Sequence, residues 1–179
     1  MYYWEKRSHL GYYQAVKKIL EDLSSKNKNL TLCDVGGADT PVVTWGSFAE
    51  RYMVSVDPIE KKKMFPGVKY VINRYTEADV PDTDVTTCLQ VLEHQPDHEI
   101  QEFVDTLMRK TRRTMVISVP YKWPKKDVGP FDGSYRPHYQ DPVDEEKMLK
   151  WFGMEPTQTT LVSGGVRQKL TRMICVYRC

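Results

Sequence analysis

The stretch Leu30-Thr-Leu-Cys-Asp-Val-Gly-Gly-Ala-Asp-Thr-Pro41 decides how the whole chain is read. Leu30, Leu32, Cys33 and Val35 make a nearly continuous apolar run, the pattern of a parallel strand buried on both faces. The run carries an acid, Asp34, and passes into Gly36-Gly37, where missing side chains let the backbone turn sharply and come close to a bound molecule. A small ligand is expected at this turn. The same features also occur in α/β proteins for packing alone, so the remainder of the chain has to choose.

With 179 residues, the chain suits one domain with one sizeable core. We read residues 1–179 as that domain, with a helical segment over 1–29 and a long loop over 121–141. Basic and acidic side chains number 26 and 24, a formal charge of +2, so nothing in the overall charge calls for a polyanionic partner. The run Glu60-Lys-Lys-Lys63 reads as solvated surface. No apolar run approaches a membrane span, and Met1-Tyr-Tyr-Trp-Glu-Lys-Arg7 lacks the apolar core of a signal peptide, so a cytoplasmic protein is expected. Cys33, Cys88 and Cys175 fall within predicted strands and Cys179 is terminal. Their spacing suggests neither zinc nor a disulfide framework, and no metal is assigned.

Leu10, Tyr13, Val16, Leu20 and Leu23 recur at helical intervals, predicting an amphipathic helix over Ser8–Leu23. The rings of Tyr2, Tyr3, Trp4, Tyr12 and Tyr13 are expected mainly to pack this helix onto a sheet. A crossover helix is predicted over Val42–Glu50 and a second strand over Arg51–Asp57. Asp57 lies 23 positions beyond Asp34, near the roughly 20-residue spacing at which dinucleotide-binding sites set a carboxylate against ribose hydroxyls. Further strands are expected over Gly67–Asn73, from Asp84 onward and over Thr114–Pro120, with a helix over Asp97–Lys110. The connection Tyr121–Asp141 is rich in proline, glycine and aromatic residues. Long loops inside compact domains are commonly functional. Asp141 and Pro142 read as the cap and first position of a helix that Gly153 stops, and Thr157–Ser163 with Leu170–Tyr177 should close the sheet as a hairpin.

These segments together resemble the class I, Rossmann-like methyltransferases that use S-adenosylmethionine, of the small-molecule type. Asp34 and Gly36 fit the family's acid-x-Gly-x-Gly-x-Gly motif, whereas Ala38 and Thr40 stand at its second and third glycines. Asp84-Val-Thr-Thr-Cys-Leu-Gln-Val-Leu-Glu-His-Gln-Pro-Asp97 is similar to the family's fourth-strand motif. The resemblance implies a three-layer α/β sandwich around a mostly parallel seven-stranded sheet with an antiparallel C-terminal strand. It implies S-adenosyl-L-methionine as cofactor, held by Asp34, Gly36, Gly37 and Ala38, by Asp57 and Pro58, and by the chain around Gln90 and Val91. Its adenine site follows the third strand, where Asn73, Tyr75, Thr76 and Glu77 are candidates and Tyr75 is the one assigned. Glu93-His94 would face a small-molecule acceptor, with His94 and His138 as candidate bases, because an imidazole titrates near neutral pH. The loop 121–141 would border the acceptor.

Three other readings use the same residues. A nicotinamide oxidoreductase needs Gly-x-Gly-x-x-Gly, which Val35-Gly-Gly-Ala-Asp-Thr-Pro41 lacks, and a substrate domain for which the chain has no room. A catalytically silent binding protein would explain the missing motif glycines. A nucleic-acid methyltransferase is suggested by Ser118-Val-Pro-Tyr121, but in such enzymes that motif ends the fourth strand, and here that strand ends in Val91-Leu-Glu-His94. Acceptor identity and oligomeric state are not legible in the residues.

Overall fold

The structure is a computed structural model that describes residues 8, 10–37, 40–56, 64–124, 137–163 and 171–179. Seven strands, β1 (Thr31–Val35), β2 (Glu50–Ser55), β3 (Val68–Ile72), β4 (Thr83–Leu89), β5 (Thr111–Pro120), β6 (Gln158–Val162) and β7 (Arg172–Arg178), form one sheet in the order 3-2-1-4-5-7-6. β7 runs antiparallel to both β5 and β6, and β1 to β5 are parallel. The described α-helices are α1 (Gly11–Lys26), α2 (Ile100–Lys110) and α3 (Glu145–Phe152). None of them is long and apolar enough to cross a membrane.

Apolar runs in the strands follow from cover on both faces. Successive strand residues point to opposite sides, so Leu32, Val85, Val116 and Ile174 pack under α1 with Tyr13, Val16 and Leu20. Their neighbours Cys33, Cys88, Ile117 and Cys175 pack with Phe103 and Leu107 of α2 and Met148 and Phe152 of α3. This is the expected three-layer arrangement. Asp84 ties the leading ends of the two central strands together, its carboxylate accepting from the Thr31 N–H and hydroxyl at 3.0 and 3.1 Å.

Two expected elements differ. The stretch Val42–Glu50 is not a crossover helix: a single 3-10 turn, Pro41–Thr44, is followed by extended chain. Valine, threonine, tryptophan and glycine supply little helix propensity here. Gly46 takes a left-handed φ of 73°, and the segment is instead pinned to its surroundings by Ser47 N–H on Ser24 Oγ and Ala49 N–H on the Leu30 carbonyl. The cap of α3 is Asp144, whose Oδ1 accepts from Lys147 N–H at 3.0 Å, not Asp141, whose carboxylate is bonded to His138. Gly153 does end α3, in the left-handed conformation at φ 64°.

The order 3-2-1-4-5 sends the chain leaving β1 to one side of the sheet and the chain leaving β4 to the other. The carboxyl ends of these adjacent strands therefore open a crevice at the topological switch point, the standard ligand position in open α/β sheets. Gly36 makes the turn there at φ 76°, its N–H bonded to the Val54 carbonyl at 2.8 Å. A Cβ on Gly36 would lie 2.3 Å from Val91 Cγ2, and one on Gly37 would lie 2.4 Å from Asp34 Oδ2. The two glycines are sterically required by the protein's own packing.

Two measurements check this account. Gly36→Ala should cost about 1–2 kcal/mol for the left-handed backbone and about 1–3 kcal/mol for overpacking, read from urea unfolding. In a Val91→Ala background the second part should largely vanish; an equal cost in both backgrounds would contradict the contact. Cys33, Cys88 and Cys175 are buried while Cys179 is exposed. Burial raises the Cys33 and Cys88 thiols well above the ordinary range and Cys175 to about 11. Because the thiolate is the reactive form, a thiol reagent should label one cysteine quickly in the native protein and all 4 after unfolding. Rapid native labelling of more than one would contradict the packing.

Candidate functional site

Three segments meet at the carboxyl end of the parallel strands: the glycine turn after β1, the chain after β4, and the residues after β5 with their return before α3. In the first, Asp34 is only 1% exposed. Its Oδ1 accepts from Thr87 Oγ1 at 2.6 Å, and its Oδ2 lies against Gly37. Asp34 thus supports the turn from beneath, while Gly36 is exposed at its surface. Ala38, Asp57 and Pro58 lie outside the described residues.

Beyond β4, Gln90 adopts a left-handed φ of 58°, a conformation that costs a residue with a Cβ about 1–2 kcal/mol. Three hydrogen bonds hold it. Its N–H donates to the Ser118 carbonyl at 2.8 Å, its Nε2 donates to Ser118 Oγ at 3.1 Å, and its Oε1 accepts from Arg172 Nε at 3.2 Å. These bonds fix the chain after β4, and the Val91 side chain that follows packs against Gly36. Tyr75, assigned to the adenine by resemblance, is 4% exposed, with its ring in the core 5.9 Å from Phe103. Asn73 is exposed and bonded within its own turn, to Arg74 N–H and the Glu77 carbonyl.

Further along, Leu92–His94 forms a 3-10 turn, and the segment 137–141 is docked onto it. The Glu93 carbonyl accepts from Tyr139 and Gln140 N–H at 2.8 and 3.2 Å. The Gln140 side chain donates to the Gln95 carbonyl and to Asp97 Oδ1, both at 2.8 Å. This docking brings His138 to His94, ring centroids 4.7 Å apart and edge to face. His94 Nδ1 lies 3.1 Å from the Pro137 carbonyl, and His138 Nδ1 lies 2.7 Å from Asp141 Oδ2. Trp123 stacks on His138 at 5.9 Å. One carboxylate oxygen of Glu93 and one nitrogen from each histidine lie within 4.8 Å of one another. His94 and His138 were each expected on the acceptor side as candidate bases, without contact between them; Glu93 in the same cluster was not assigned a metal role.

Arg172 was missed altogether. It is 3% exposed, and its guanidinium lies 4.8 Å from the Tyr12 ring centroid and 5.4 Å from that of Trp123, so cation–π contacts help to offset its burial. One signal was available in the sequence: a charged residue opening the apolar run Met173-Ile-Cys-Val-Tyr177. Tyr12 and Tyr13 are buried and stacked at 4.1 Å, as packing required. Tyr2, Tyr3 and Trp4 lie outside the described residues, as do Phe131 and Tyr135 of the long loop.

No family model matches this sequence, and a comparison with curated proteins finds no match. Solved structures do match. The 1,6-didemethyltoxoflavin-N1-methyltransferase of Burkholderia thailandensis, with S-adenosylhomocysteine and its acceptor bound, superposes with TM-score 0.69 at 14% identity, over 96% of this chain and 79% of that one. Magnesium protoporphyrin IX methyltransferase of Synechocystis PCC 6803, with S-adenosylhomocysteine bound, gives 0.66 at 19% identity, over 94% and 83%. A 4+2 cyclase, SpnF, gives 0.62 at 13% identity, over 92% and 82%. With the 3-2-1-4-5-7-6 sheet and its switch-point crevice, these matches establish that the chain has the fold of the class I S-adenosylmethionine-dependent methyltransferases.

Proposed function

We propose that the protein transfers the methyl group of S-adenosylmethionine to a small-molecule acceptor bound over the carboxyl end of β4. The observation that carries the reading is the joint geometry of Gly36 and Gln90-Val91. Gly36 and Gln90, both in left-handed backbone, flank the switch point, and Gly36, exposed at the turn, has no side chain there to obstruct a ligand. The cofactor supplies an activated methyl on a sulfonium, and in-line displacement then depends mainly on holding the acceptor in contact with it.

The chain's own residues divide that work. Gly36 and Gly37, with Ala38 beyond them, line the cofactor, and Asp34 acts through the turn it supports. Asp57, followed in sequence by Pro58, would accept from the ribose hydroxyls. Gln90 and Val91 contribute backbone, Gln90 being locked by Ser118 and Arg172. His94 and His138 face the acceptor, where the proton it sheds has to be managed. The 1,6-didemethyltoxoflavin and magnesium protoporphyrin IX methyltransferases with this fold act on small molecules by name, which supports the same acceptor class here. A second reading, binding without methyl transfer, draws on the same fold being carried by a cyclase and on Ala38 and Thr40 at motif glycine positions.

Titration calorimetry with S-adenosylhomocysteine should detect one site. Asp57→Ala should weaken it by about 1.5–3 kcal/mol, the worth of a hydrogen bond to a charged group, or roughly ten- to a hundredfold in Kd. Absence of heat, or equal affinity in the variant, would contradict the assignment. Binding without methyl transfer to any candidate acceptor would favour the second reading.

A further inference from the structure

We propose that Glu93, His94 and His138 form a binding site for one divalent transition-metal ion, which in turn takes a hydroxyl-bearing acceptor. The acceptor half rests on the methyltransferase reading; the metal half stands without it.

The argument begins with the two tautomers. A backbone carbonyl only accepts, so His94 Nδ1, at 3.1 Å from the Pro137 carbonyl, carries its proton, and the lone pair is on Nε2. His138 Nδ1 faces the Asp141 carboxylate at 2.7 Å, which assigns the lone pair of that ring to Nε2 as well. Metal-binding histidines have this arrangement: one ring nitrogen donates to a carbonyl or carboxylate, which fixes the tautomer, orients the ring and raises the basicity of the ligating nitrogen. Here both histidines have such a partner, and Asp141 is itself only 6% exposed.

Donor set and spacing point the same way. Two imidazole nitrogens and a carboxylate oxygen suit zinc and the neighbouring first-row ions, and leave coordination positions open. One carboxylate oxygen of Glu93 and one ring nitrogen of each histidine lie within 4.8 Å of one another. A tetrahedral ion with bonds near 2.1 Å sets its ligands about 3.4 Å apart, so side-chain adjustments of roughly 1 Å close the site. The backbone is already held, because Glu93 accepts from two N–H groups of the segment that carries His138. Trp123 stacked on His138 limits rotation of that ring.

An ion at this position gives the histidines a role other than direct base. An acceptor hydroxyl bound to it loses its proton to solvent at neutral pH, as metal-bound water does. The oxygen then bonds to the methyl carbon while the carbon–sulfur bond breaks and its electron pair stays on sulfur. Coordination acidifies a hydroxyl and leaves its oxygen lone pairs for attack, but occupies the only lone pair of an amine, so the ion activates acceptors with an oxygen nucleophile and not amines.

Chelator-stripped full-length protein, without S-adenosylmethionine, should be titrated with Zn2+ and with Co2+, following heat and the visible absorption of bound Co2+, with Mg2+ as control. One equivalent of Zn2+ or Co2+ should bind, with Mg2+ much weaker. His138→Ala and Glu93→Gln should each lower affinity about a hundredfold, and Asp141→Asn about ten- to a hundredfold. Folding is checked by circular dichroism; if Glu93→Gln does not fold, His138→Ala decides, since that ring is partly exposed. Cys179→Ser should change nothing. Absence of binding, or binding lost in Cys179→Ser and kept in His138→Ala, would overturn the site. S-adenosylhomocysteine affinity separates the two claims: metal without cofactor binding leaves this site standing and removes the methyltransferase reading, whereas cofactor without metal binding removes this site alone.

Discussion

The contact between Gly36 and Val91 is the constraint on which the rest of the site depends. It joins the turn leaving β1 to the chain leaving β4, the two ends that diverge to opposite sides of the sheet. With any larger residue at position 36 the two ends could not approach as they do, since a Cβ would sit 2.3 Å from a valine methyl. The crevice is thus shaped from its floor upward. Asp34 and Thr87 fix the glycine turn, Ser118 and Arg172 fix Gln90, and Gly36 is left exposed at the turn.

A second set of hydrogen bonds builds the other half of the site from a distant part of the sequence. Segment 137–141 is bonded to residues 93–97 by backbone and side chain alike, which turns two remote histidines into neighbours. The same segment gives Asp141 to His138 and stops short of α3, whose own cap is Asp144. Arg172 links the halves: it holds Gln90 at the end of β4 and lies over Trp123, the ring that stacks on His138. A change at Arg172 is therefore felt on both sides.

Most of the sheet was legible because its strands are covered on both faces, which leaves apolar runs that few other structures produce. The glycine turn was legible for a related reason, since local chemistry and position agree there, whereas the fourth strand, expected to end in Val91-Leu-Glu-His94, stops at Leu89 and gives way to a 3-10 turn over Leu92–His94. What escaped depends on distant partners. Val42–Glu50 was expected to be a crossover helix from its place between two strands, but Ser24 and Leu30 claim its backbone, and Asp141 looks like a cap until His138 claims its carboxylate. Arg172 is only one of many arginines in the sequence; its burial follows from tertiary neighbours 49 or more positions away, Trp123, Gln90 and Tyr12. The cluster of Glu93, His94 and His138 is spread over 46 residues, a spacing that marks no metal motif in the sequence.

The central claim is that the cofactor lies at the carboxyl end of β1 and β4. Amide chemical shifts recorded during titration with S-adenosylhomocysteine test it most directly. The account predicts that the largest changes fall on Gly36, Gly37, Gln90 and Val91, with Lys26, Arg113 and Cys179, around the cavity at the opposite end of the sheet, unmoved. Changes centred on that opposite end, or none at the glycine turn under saturating ligand, would contradict it.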